Sequence, residues 1–143
     1  MNNTYINTIL KQGKDISILA IGKMVSRAVE IADDLKKQDI DAEVINIRFL
    51  KPLDVEAIKQ SLNKTKKVVT IEDGTCINGL GTAIKECIVD NDINDVIIKT
   101  FAYPDKFIQH GGVDELEKIY GLDKNSILKE IVNIMSEGEE KSE

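Results

Sequence analysis

The sequence predicts a three-layer α/β domain, a mainly parallel sheet with helices on both of its faces. Three observations predict it. Four short apolar runs, rich in β-branched residues, recur at Ile16–Ile21, Val44–Phe49, Val68–Ile71 and Val96–Phe101. A pattern of helical period fills each gap between them. The runs begin 24 to 28 residues apart, which suits crossover helices and exceeds what a hairpin needs.

The elements follow in order. Ile16-Ser17-Ile18-Leu19-Ala20-Ile21 is nearly continuous in apolar residues, as strands covered on both faces are. Gly22-Lys23 ends it and opens a helix carried by Met24, Ala28, Ile31, Ala32 and Leu35. The second run holds Arg48 among its apolar residues. In Lys51-Pro52-Leu53-Asp54 the proline restricts Lys51 and stops the strand. Asp54 then stands where an N-cap belongs, ahead of Val55, Ile58 and Leu62. The third run closes on Glu72-Asp73, and Gly79-Leu80-Gly81 opens a helix carrying Ala83, Ile84, Cys87 and Ile88. After the fourth run, Val113, Leu116, Ile119 and Tyr120 form a short stripe that ends at Gly121, a C-cap residue. Asp123 is placed to cap a last helix with Ile127, Leu128, Ile131, Val132, Ile134 and Met135. Residues 1–13 carry no such pattern and read as a leader or a cut linker. The domain proper is expected over residues 14–136, with an acidic tail at 137–143.

Composition narrows the function. The 143 residues include 19 Lys and Arg against 25 Asp and Glu, a net charge of −6. The tail alone carries half of it, so the body is close to neutral. Such a balance argues against a nucleic-acid binder, which needs clustered cations. No apolar run is long enough to span a membrane, and the first residues lack the features of a secretory signal. Cys76 and Cys87 have neither a metal nor a redox spacing, and His110 is the only histidine. The expectation is a cytoplasmic domain in which Cys87 is a small core residue.

Candidate sites cluster where strands end. Gly79 and Gly81 open a helix, whose free N–H groups suit a phosphate or carboxylate. The dinucleotide fingerprint needs a third glycine where Ile84 stands, so close helix–sheet contact is the preferred explanation of the glycines. Gly22 and Lys23 lie at the usual ligand edge of a parallel sheet. Together Gly22, Lys23, Gly79 and Gly81 form a candidate anion or regulatory site. Glu72 and Asp73 are neighbours on a strand and point apart, so spacing does not make them an acid/base pair; Asp73 could cap the following turn. Arg48, inside an apolar strand, is expected to face a paired acid or another subunit. His110, without an evident Cys, Ser or Asp partner, reads as a loop or capping residue. No nucleophile elbow, Walker loop or zinc motif is present.

Several strings then go further. Asn46 to Asp54 reads NIRFLKPLD, and Val69-Thr70-Ile71-Glu72-Asp73-Gly74 precedes Gly79-Leu80-Gly81. Tyr103-Pro104-Asp105-Lys106-Phe107-Ile108-Gln109-His110-Gly111 is followed by Tyr120-Gly121-Leu122-Asp123. Together they resemble the C-terminal domain of the transketolase family over about residues 14–135. The last two strings resemble most the branch that makes 1-deoxy-D-xylulose 5-phosphate.

The resemblance implies that the full enzyme condenses pyruvate with glyceraldehyde 3-phosphate, losing carbon dioxide, with thiamine diphosphate as electron sink and magnesium on its diphosphate. In the family a Gly-Asp-Gly segment holds the metal, with an Asn some 30 residues on. Asp73-Gly74 lacks the first glycine, and Asn91 and Asn94 come too soon, so this match is accidental. The cofactor-activating glutamate and the substrate-phosphate arginines belong to earlier domains. The resemblance therefore implies no catalytic, cofactor or metal residue here. It implies packing against the N-terminal and pyrimidine-binding domains and a homodimer, with Arg48, Phe49, Lys51, Pro52 and His110 as interface candidates. Two other functions remain open: a separate C-terminal subunit of a split transketolase or 2-oxo-acid dehydrogenase, and a free-standing anion-binding module.

Overall fold

A computed structural model describes residues 8–48, 53–75, 79–104 and 112–141. Ile16, Ile18, Leu19 and Ala20 of β2 (Ile16–Ala20) are all fully buried, because helices cover both faces of this strand. It lies at the centre of a five-stranded sheet of order β1-β3-β2-β4-β5. The strand β3 (Ala42–Asn46), β4 (Lys67–Thr75) and β5 (Ile97–Tyr103) run parallel to it. Helix α1 (Met24–Lys36) crosses from β2 to β3, α2 (Val55–Thr65) from β3 to β4, and α3 (Leu80–Asp90) from β4 to β5. The predicted fold class stands.

Residues 8–11, placed by sequence in a leader, are instead β1 (Thr8–Lys11), an antiparallel strand on the edge of β3. Adjacent Ile9 and Leu10 give no alternating signal, and the partner lies more than 30 residues away. The second apolar run is also shifted. β3 begins at Ala42 and ends at Asn46, so Arg48 is an exposed residue beyond the strand rather than within it. The early start follows from Glu43, 1% exposed, which takes hydrogen bonds from the Ser61 hydroxyl (2.6 Å) and the Lys64 ammonium of α2. Ser61 and Thr65 in turn bond Ser17 on β2, at 2.6 and 2.7 Å. A buried carboxylate needs such partners, and they dock α2 on the amino-terminal half of the sheet.

Two apolar cores result. On one face Met24, Ala28, Ile31 and Leu35 of α1 meet Ile18, Val44, Val69 and Ile71. Leu116 of α4 (Val113–Ile119) and Ile127 and Ile131 of α5 (Lys124–Lys141) complete that layer. On the other face Ile58 and Leu62 of α2, with Leu80, Ile84 and Cys87 of α3, cover Leu19, Ile45 and Val68. Cys87 is a core residue as expected, and burial pushes its thiol up despite the Asn91 contact. The predicted caps form. Asp54 accepts from the Ala57 N–H at 3.2 Å, Gly121 takes φ +70°, and Asp123 accepts from the Ser126 N–H (3.2 Å) and hydroxyl (2.6 Å). The α5 backbone continues as helix into the acidic tail, to Lys141. Among the described residues no helix is long and apolar enough to cross a membrane.

Candidate functional site

The chain leaves β2 for one side of the sheet through α1 and β3, and later returns to its other side with β4. That reversal makes the carboxyl ends of β2 and β4 a topological switch point, where α/β folds place ligands. Gly22, with φ +64°, turns the chain out of β2 in a conformation that L side chains rarely adopt. Lys23 follows as the N-cap residue of α1. Across the gap, β4 loses its regular register. Ile71 pairs Phe101, yet Thr75 pairs Tyr103, so four steps of β4 match two of β5. Such a bulge re-aims the side chains within it.

Its product is an internal anion site. Glu72 is 5% exposed, and its two carboxylate oxygens accept the N–H groups of Leu80 and Gly81, each at 3.0 Å. These are orphan donors of the first turn of α3, and a carboxylate there also meets the positive end of the helix dipole. Gly81 explains why α3 approaches so closely. A Cβ on it would stand 2.6 Å from Cγ2 of Thr100 and 3.3 Å from Oγ1 of Thr70. The Thr70 hydroxyl, buried beneath this glycine, has no hydrogen-bond partner. Asp73 points the opposite way, as neighbours on a strand do. Its Oδ2 lies 3.2 Å from the Lys23 ammonium, both groups well exposed. An exposed pair of this kind contributes about 0–1 kcal/mol.

Behind this pair lies a polar cluster that sequence alone did not indicate. Arg27 of α1 donates to Glu117 of α4 at 2.7 Å and to the Leu122 carbonyl at 2.8 Å. Tyr103 at the end of β5 meets Tyr120 edge to face, with ring centroids 5.7 Å apart. Burial, and then the nearby Glu117 carboxylate, push the Tyr103 phenol up. The one signal available was Arg27 on the helix next to Lys23; its partner is 90 positions away.

The four candidate anion-site residues therefore separate. Gly22 and Lys23 serve α1 on one face of the sheet, and Gly79 and Gly81 serve α3 on the other. The expectation of free N–H groups at α3 is corrected, because Glu72 already takes those of Leu80 and Gly81. Asp73 pairs with Lys23, and the turn it could cap lies outside the described residues. Arg48 is placed near this edge by the end of β3. Phe49, Lys51, Pro52, Cys76 and His110 lie outside the described residues. Among the described residues no group of three or more His, Cys, Asp or Glu is arranged to hold a metal ion. Both Glu72 oxygens are engaged by the first turn of α3.

Comparison with known proteins agrees with this architecture. The family model for "Transketolase, C-terminal domain" matches residues 7–127. The 1-deoxy-D-xylulose-5-phosphate synthase of Halothermothrix orenii is 41% identical over 129 residues, 90% of this chain and 20% of that protein. The synthase of Caldanaerobacter subterraneus is 42% identical over 124 residues, again with 20% of its length covered. The chain thus spans about a fifth of the curated relatives it matches. Among solved structures, a chain described as a split gene transketolase in an inactive beta4 tetramer superimposes with TM-score 0.84 at 30% identity, over 94% of this chain and 44% of that one. Transketolase from Campylobacter jejuni shares the fold, at TM-score 0.66 and 17% identity, over 92% of this chain and 19% of its own. On this evidence the chain belongs to the transketolase C-terminal domain family.

Proposed function

We propose that this chain is the C-terminal domain of a 1-deoxy-D-xylulose-5-phosphate synthase, a cytoplasmic enzyme that joins pyruvate to glyceraldehyde 3-phosphate with loss of carbon dioxide and so supplies isoprenoid and thiamine precursors. The observation that carries it is the 41% identity along 90% of the chain to a protein of that name. The role of the domain is structural. It packs on the N-terminal and pyrimidine-binding domains and helps to hold the enzyme as a homodimer, with Arg48, Phe49, Lys51, Pro52 and His110 on the contact face.

Thiamine diphosphate and magnesium do not fit the residues described here. Both oxygens of Glu72 are bound by backbone N–H groups, and Asp73 is paired with Lys23. The cofactor and its metal belong to the other domains in this reading, and no step of the reaction runs through this chain.

The test is a chimera in which this chain replaces the matching fifth of the Halothermothrix orenii synthase. We expect pyruvate-dependent release of carbon dioxide by the chimera and none by this chain alone at any thiamine diphosphate concentration. Turnover by the isolated chain, or a folded chimera without activity, would refute the proposal.

A second reading is a separate C-terminal subunit of a split transketolase or 2-oxo-acid dehydrogenase. The 0.84 TM-score to the split gene transketolase chain favours it. Affinity capture from native extract should then yield a second chain carrying a Gly-Asp-Gly segment. The third reading, a free-standing anion-binding module, loses its donors to Glu72.

A further inference from the structure

The two edges of the sheet are built differently. β1 has four residues and a break in register between Ile9 and Lys11, devices that blunt an edge against pairing. β5 has seven residues and pairs β4 in unbroken register from Ile97 to Phe101. Among the described residues no strand pairs with its outer side. The Ile97 N–H donates to the Lys66 carbonyl at 2.9 Å, so Ile97, Lys99 and Phe101 bond inward. Alternation then turns the N–H and C=O groups of Ile98, Thr100 and Ala102 outward. On the face toward α5 the strand reads Ile97, Lys99, Phe101, and Ile97 is 44% exposed. A groove of about 390 Å³ borders this edge, with Lys99 on the strand side and Lys129 and Glu130 of α5 on the other. Both lysines are exposed, and among the described residues neither takes part in an ion pair.

We propose that the outer edge of β5 docks an extended acidic segment of a partner polypeptide, which joins the sheet as a sixth strand. Ile98, Thr100 and Ala102 each offer an N–H and a C=O, so an antiparallel partner makes six backbone bonds. In that register Lys99 falls in a non-hydrogen-bonded pair, where facing side chains stand closest. The residue facing Lys99 is then an Asp or Glu, with Lys129 across the groove, and those facing Ile97 and Phe101 are apolar. Opposite charges and apolar pairs set across a ladder stabilise it, and like charges destabilise it. The same charges disfavour a second copy of this chain, which brings its own Lys99 and Lys129 and so places four lysines at one contact against two glutamates. This surface is distinct from the carboxyl edge assigned above to domain packing, and it does not depend on that assignment.

Amide chemical shifts of the isotope-labelled 143-residue chain test it, during titration with the synthetic peptide acetyl-Val-Thr-Glu-Thr-Val-Thr-amide. We expect binding on the order of millimolar, as a few exposed ladder bonds give, with the largest shifts at Ile98, Thr100 and Ala102. The same peptide with Lys in place of Glu should bind roughly fivefold more weakly. Lys99→Glu should reverse that preference, and its exposed position leaves the fold intact. Ala102→Pro removes one outward donor and spares the β4 ladder, so it should weaken the binding of both peptides. Lys99→Glu decides the matter if Ala102→Pro unfolds the chain by circular dichroism. Four results would overturn the proposal: no shifts at millimolar peptide, shifts on another face, equal binding of the two peptides, or a chain already paired through β5 with a second copy in sedimentation equilibrium.

Discussion

Glu72 ties the end of β4 to the start of α3. One carboxylate satisfies two backbone donors of α3 in a buried site. Replacing it with alanine leaves both donors buried and unpaired. The expected cost is about 3 kcal/mol, since each unsatisfied buried group costs about 1–3. Glu72→Gln keeps one acceptor and loses the charge, so it should fall between wild type and alanine. Urea unfolding followed by circular dichroism ranks the three, and equal midpoints would show that the donors find other partners. The sequence displayed Glu72 only as half of an adjacent carboxylate pair. Its role depends on the bulge in β4, which brings Ile71 and Thr75 opposite Phe101 and Tyr103. A bulge of this kind leaves no mark in hydrophobic periodicity. The glycines at 79 and 81 announced a close approach, and the Thr100 methyl group beneath Gly81 is the surface approached.

Helix ends show what local sequence does determine. Asp54, Gly121 and Asp123 act within three or four residues of themselves, and each was readable as a cap from its position beside an apolar stripe. Asp123 also yields a pH dependence. Burial pushes its carboxyl up, but the Ser126 hydroxyl and amide together outweigh burial and hold it below the usual carboxylate range. The folded group therefore binds its proton less readily than the unfolded one. Its stabilisation is fully present above the unfolded value of about 4 and is lost as pH falls through the lower, folded value. Asp123→Ala should cost about 1 kcal/mol at neutral pH, and the gap from wild type should close below that range. A gap that persists unchanged at pH 2 in thermal melts would mean that the carboxylate charge is not what caps α5. Longer-range elements were less legible. The start of β3 was read two residues late because the buried Glu43 is polar, and its place in the strand rests on Ser61 and Lys64 of a later helix. Arg48 lies beyond the strand because β3 ends at Asn46.

At the scale of the whole molecule, the two cores are separated by one sheet, so anything that frays the sheet opens both. β1 is the element whose membership was least visible, and it closes the edge of β3. Thr8 pairs Asn46, Ile9 pairs Ile45 and Lys11 pairs Val44. Ile45 and Val44 belong to opposite cores and are both fully buried. Next to β1, Gly13 runs so close to β3 that a Cβ would stand 2.3 Å from the Ala42 backbone, and its N–H reaches Glu43 at 3.4 Å. The Lys11 ammonium further ties the strand to Asp33 of α1 at 2.5 Å. A chain shortened to begin at Thr8, which keeps β1, is the reference. One shortened to begin at Gly13 loses every β1 ladder bond and presents the β3 edge, which carries Ala42, Val44 and Ile45 and whose outer backbone groups lose their β1 partners. It should melt several degrees lower, by roughly 4 °C for each kcal/mol lost in a domain of this size, and should scatter light on standing. Equal melting of the two shortened chains would return residues 8–11 to the status of a leader, and would show that β3 closes the sheet by itself.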